Sequence, residues 1–172
     1  IRFPALALAV LTVLLCAACG TSSDTPGTTE AATEPAASKL TVWDAEGMHY
    51  ALVRPDELPK SVFKAAEQLG NRMETLSGIA DVYPESDFVM MGKTLVDDNP
   101  EILIGLTNRS ASKAFYDRLP ESGYGYTVTD RQIVILGRSD NLTVLAVQAF
   151  AAEMLPSSGV KTESFSIDIG TE

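Results

Sequence analysis

The sequence predicts an α+β fold, a mixed β-sheet of about five to seven strands layered with about three helices. Three neighbouring stretches carry that prediction. In QIVILG the run Ile133, Val134, Ile135, Leu136 is apolar at every position, as a strand covered on both faces requires. Before it, Tyr124, Tyr126 and Val128 alternate with small or polar residues, the pattern of a half-exposed neighbour, and Asp130 and Arg131 supply the turn between the two. After it, Gly137 bends the chain into a helix whose apolar set, Leu142, Leu145, Ala146, Ala149, Phe150 and Met154, recurs at three and four residues. Asp140 or Asn141 is placed to cap that helix. Tyr124 to Leu155 thus reads as a strand, a turn, a buried strand and an apolar helix, a central hairpin around which the rest is organised.

Length and charge narrow the remainder. At 172 residues the chain has room for one domain plus targeting and linker segments. It carries 13 Lys and Arg against 23 Asp and Glu, with no basic cluster, so no electrostatic grip on nucleic acid is expected. Both cysteines, Cys16 and Cys19, fall at the front, which leaves the folded part without a thiol, a disulfide or a cysteine metal site. His49 is the single histidine, so Cys–His catalysis is excluded and a serine triad would have to run through it alone. No metal and no cofactor are expected.

In chain order, residues 1–19, IRFPALALAVLTVLLCAAC, place Arg2 ahead of an apolar stretch too short for a comfortable membrane span, the form of a secretory signal. The first residue is not Met, so a few leading residues are expected before Ile1. CAAC followed by Gly20 resembles a bacterial lipoprotein cleavage box, with Ala17 and Ala18 as the small residues and Cys19 as the lipidated N-terminus; it departs from that pattern in having Cys16 where Leu is usual. Residues 20–38, GTSSDTPGTTEAATEPAAS, contain no large apolar residue and cannot offset the entropy of ordering them. They form a tether that, extended at about 3.3 Å per residue, holds a domain up to roughly 60 Å away.

The folded part is expected over 39–172. LTVW and MHYALV, divided by DAEG, predict a first hairpin. Trp43 and His49 sit on it, either as a sugar-stacking or catalytic pair or as an ordinary strand Trp with a core-edge His. After the Arg54 to Pro59 breaker, Val62, Ala66, Leu69, Met73 and Leu76 recur at helical spacing and Gly78 stops the helix; Gly70 inside it marks a close approach to the sheet. Ile79 to Tyr83 and Phe88 to Met91 are strand candidates separated by the polar PESD. EILIG predicts a strand ending in glycine, with a helix in TNRSASKAFYDRL closed by Pro120. GLTNRS between them reads as helix capping in preference to an anion cradle, since it lacks the further glycines and the lysine of a phosphate loop. The three helices are expected near 61–77, 109–119 and 141–155. ESFSIDI supplies a final strand, and the sequence stops just after it, at a truncation point or a natural end.

The stretches HYALVRPDELPKSVFKAAEQLGNRMETLSG, EILIGLTNR and GYGYTVTDRQIVILGRSDNLTVLAVQAFAAEML are together similar to the small α+β domain that precedes the catalytic barrel in family 20 glycoside hydrolases and in alpha-glucuronidases, and to stand-alone versions in extracellular proteins of Gram-positive bacteria. The resemblance covers nearly all of 39–155 and rests on core positions. Val147 and Gln148 stand where that family often has an aromatic, and no barrel sequence follows. What the resemblance implies is a non-catalytic role, because the family's reacting carboxylates lie on the barrel.

The expectation is therefore a non-enzymatic, membrane-anchored lipoprotein domain facing outside the cell, an accessory or spacer for carbohydrate-active or other surface machinery. Its partners would be the membrane, through the lipid anchor, and a cell-wall polysaccharide or a partner protein domain. A glycan-binding module would present an aromatic platform, Trp43 with Tyr50 or Tyr124 with Tyr126. A hydrolase fragment would need paired carboxylates, and Glu85 with Asp87 or Asp97 with Asp98 read as polar surface loops, the latter at best a weak cation loop.

Overall fold

The computed structural model describes residues 38–157 and 159–172; the signal segment, Cys19 and all of the tether but Ser38 lie outside the described residues. Among the described residues the fold is α+β, with eight strands in two sheets and three helices. β1 (Lys39–Asp44), β2 (Gly47–Met48) and β8 (Phe165–Asp168) form a three-stranded antiparallel sheet in the order β2-β1-β8. β3 (Ala51–Arg54), β4 (Glu85–Ser86), β5 (Glu101–Ile104), β6 (Tyr124–Val128) and β7 (Gln132–Gly137) form a five-stranded mixed sheet in the order β4-β3-β5-β7-β6. Only the β6–β7 pair in it is antiparallel. The strands are thus divided between two sheets instead of one. MHYALV, expected as one strand, breaks at His49 and Tyr50: Gly47–Met48 completes a short hairpin with β1, while Ala51–Arg54 leaves to pair in parallel with β5.

The alternation of side chains along a strand explains the uninterrupted apolar runs. Ile102, Ile104, Ile133 and Ile135 enter one core with Leu52, and Leu103, Val134 and Leu136 enter a second with Val53. α1 (Lys60–Ser77) and α3 (Asp140–Glu153) cover the first face; α2 (Ser110–Arg118), through Phe115, covers the other. The large core also takes Leu40, Val42, Trp43 and Ile167 from the small sheet, which joins the two sheets into one packed body.

α1 buries Val62, Ala66, Leu69, Met73 and Leu76 as its spacing predicts, and Gly78 ends it in a left-handed conformation at φ 74°. Gly70 does mark a close approach, to the main chain after α1: a Cβ there would lie 2.2 Å from the Val82 carbonyl oxygen. Helix propensity alone favours Ala over Gly by about 1 kcal/mol. The contact reverses the sign, and Gly70→Ala is expected to destabilise the fold by about 1–3 kcal/mol in urea titration; a stabilised variant would contradict the close approach.

α3 is rotated from the expected face. Thr143, Ala146, Val147 and Phe150 are buried, whereas Leu145 is exposed. Thr143 turns inward because its hydroxyl bonds the Gly137 main chain at the end of β7, accepting from the Gly137 N–H at 3.1 Å. The cap is Ser139, whose side chain accepts from the Leu142 N–H, in place of Asp140 or Asn141. The short strands before β5 also differ from expectation. Neither 79–83 nor 88–91 is a strand, and the two residues that pair beside β3 are Glu85 and Ser86, from the stretch expected to separate them.

Candidate functional site

The aromatic residues expected to contact a ligand do not form a platform. Trp43 is fully buried, packed on Phe165 with ring centroids 4.7 Å apart, and its indole N–H donates to the Thr162 carbonyl. Tyr50 is buried in the same core, and burial pushes its phenol pKa up. On β6 the pair is split: Tyr124 is 46% exposed, while Tyr126 is buried edge-on against Phe150. The Tyr126 hydroxyl donates to Glu153 Oε2 at 2.8 Å.

Burial, and then the Glu153 carboxylate, push the Tyr126 pKa up from 10.0 to about 12. The unfolded phenol gives up its proton first as pH rises, so the folded state is favoured in full below pH 10 and loses that support between 10 and about 12. Stability measured across this window should fall more steeply in the wild type than in Tyr126→Phe; parallel profiles would refute the buried phenol.

His49 lines a hollow of about 240 Å³ together with Asp81, Tyr83 and Glu85. Those three residues are exposed, and His49 Nε2 lies 2.9 Å from Asp44 Oδ1. The Glu46 main-chain N–H, and then His49, hold the Asp44 carboxyl below its ordinary value. Asp81 adopts a left-handed conformation at φ 67°, which carries the chain from α1 past Gly70 toward Tyr83. Histidine and two acids thus share one hollow, but the acids stand in water and the histidine bonds a third, which is unlike the dry carboxylate pocket that glycoside hydrolysis uses.

The turn after β5 does not cap α2 with side chains of its own, contrary to expectation: the N-cap residue is Arg109, which makes no side-chain cap bond, and acids from other loops take that role. Asn108 N–H donates to Asp87 Oδ2 and Ser110 N–H to Asp97 Oδ1, each at 2.7 Å, so carboxylates of the chain occupy the start of α2 where an external anion would bind. Hydrogen bonds from Ser110 lower the Asp97 pKa. Asp87 is therefore a buried acceptor instead of a solvated loop acid; it also takes the Asp56 N–H and joins three loops. Nearby, Arg109 grips Glu101 through two bonds of 2.7 Å, with both side chains at least nine-tenths buried. Sequence reasoning missed this pair. Its one visible signal is Glu101, a charge opening an otherwise apolar strand.

Among the described residues no group of three or more His, Cys, Asp or Glu is placed to hold a metal ion, and no helix is long and apolar enough to cross a membrane. No protein-family model and no curated protein matches the chain.

Proposed function

We propose that the chain is a non-catalytic, extracytoplasmic lipoprotein domain, anchored through Cys19, spaced by the 20–38 tether and serving as an accessory or spacer module for carbohydrate-active or cell-surface machinery. The observation that supports this reading is how the charged groups are used. Glu101 and Arg109 neutralise one another inside the fold, Asp87 and Asp97 hold main-chain N–H groups, and His49 is paired with Asp44. These groups are committed to holding loops, whereas catalysis asks for a nucleophile or acid with a free reacting atom aimed at a substrate position. The anchor is tested by metabolic labelling with a palmitate analogue: label is expected in the wild type and absent from Cys19→Ser, and equal labelling of both would overturn it.

Glycan binding is the second reading, and one observation favours it. Tyr83 is 56% exposed at the rim of the His49 hollow, which Asp81 and Glu85 also line. Because Trp43 is fully buried, its fluorescence would not report sugar contact. Calorimetric titration with peptidoglycan fragments is the suitable test: binding lost in Tyr83→Ala supports this reading, and no heat removes it.

A further inference from the structure

The chain between β4 and β5 forms neither helix nor strand, and it turns apolar side chains into water. Half of the large apolar side chains that stand exposed among the described residues lie within Phe88 to Val96. Phe88 is 64% exposed and Met90 62%, and Met91 stands clear of the body on every side. Single exposed apolar residues are ordinary, but such a concentration in one loop marks a contact surface. The Lys93 N–H donates to the Met90 carbonyl at 3.0 Å, which closes a turn over Met91 and Gly92, with Gly92 left-handed at φ 84°. Met91 is thereby placed at the tip. The base of the loop is fixed at both ends, by Asp87 on the Asp56 and Asn108 N–H groups and by Asp97 on the Ser110 N–H.

Charge is arranged to match. In a chain with 23 acids, Phe88 to Val96 contains none, and its one charge is Lys93. The acids that border the loop are occupied: Asp87 and Asp97 by main-chain N–H groups, and Asp98 by Arg131 at 3.9 Å. Among the described residues Lys93 makes no ion pair. We infer that the Phe88–Val96 loop dips into the surface of a lipid bilayer, with Met91 leading into the acyl boundary and Lys93 against the lipid phosphates. A bilayer accepts a convex apolar tip of any shape and meets a cation beside it with phosphate. A polysaccharide offers no apolar interior. A second copy of this chain would bring a net charge of −10 and the same convex loop. The tether, with no large apolar residue, has nothing to cover the loop, and its reach of roughly 60 Å lets any face of the domain turn to the bilayer. The inference rests on the membrane-anchored reading above and adds to it the face that the domain presents to lipid.

The test is quenching of tryptophan fluorescence by phosphatidylcholine carrying brominated acyl chains, with the full chain reconstituted in vesicles of that lipid. Trp43 is fully buried, so the parent chain sets the background. Met91→Trp is expected to add a strongly quenched component. Tyr124→Trp, at an exposed position on the opposite edge of the five-stranded sheet from β4, is expected to add an unquenched one. Adding Met90→Asp to the Met91→Trp chain should lower the quenching by roughly half or more, since a carboxylate resists entry into the acyl boundary. These positions are exposed, and circular dichroism checks that each variant is folded. Cosedimentation with the vesicles reports the anchor separately. A chain that cosediments while the Met91→Trp indole stays unquenched would overturn the inference and leave the anchor standing, and a chain that does not cosediment would overturn both. Equal quenching at positions 91 and 124 would show unspecific adsorption and overturn it too. So would self-association that Met91→Asp abolishes, which would assign the loop to a second copy.

Discussion

Arg109→Met is expected to destabilise the domain by about 3–5 kcal/mol, because it strands the Glu101 carboxylate where only 5% of the side chain reaches water. The two bonds that Arg109 makes to Glu101 cross from the start of α2 to the first residue of β5, and Gln132 on β7 donates to the same carboxylate at 3.4 Å. Losing the guanidinium therefore removes a tie between a helix start and two central strands. The double variant Glu101→Leu with Arg109→Met distinguishes a stranded charge from a lost tie. If the cost lies in the uncompensated charge, the double variant recovers most of the stability, since a well-packed apolar pair is often neutral relative to a buried ion pair. Urea unfolding of both variants measures this, and a double variant no more stable than Arg109→Met would show that the geometry of the pair matters more than its charge.

Trp43→Ala should cost a similar amount, about 3–5 kcal/mol, the range for truncating a large buried aromatic. The side chain is wholly inside, and with Leu40, Val42 and Ile167 it seats the three-stranded sheet on the large core. A surface platform residue would instead change stability by about 0.5 kcal/mol or less. The variant thus separates the core role of Trp43 from the ligand-facing role that a sugar-stacking platform would give it. A thermally unaffected Trp43→Ala protein would place the ring outside the core.

Much of the fold was readable because period and burial agree along the chain. α1 announces its inner face at three- and four-residue spacing, and β7 is apolar throughout because its two faces meet two separate cores. What could not be read depends on distant partners. α3 is apolar nearly all round, so its sequence does not say which face turns in; the Thr143 contact with the end of β7 decides it. Glu85 and Ser86 pair with β3 through the main chain and carry no apolar signal of their own, and Phe88 and Met90, which look like strand residues, stand exposed. In the candidate site, His49 and Glu85 were visible as single residues, but their sharing of one hollow with Tyr83 arises from the turn at Asp81. Asp87 and Asp97 look like surface acids because a sequence cannot show which main-chain N–H groups will meet them.

We propose that the charged side chains of this domain hold its loops and leave no reacting set. Assay of the purified full chain in mild detergent on a panel of chromogenic glycosides and esters tests it most directly. No turnover above buffer is expected for the wild type. Turnover that His49→Ala or Glu85→Gln abolishes, with the fold intact by circular dichroism, would contradict it.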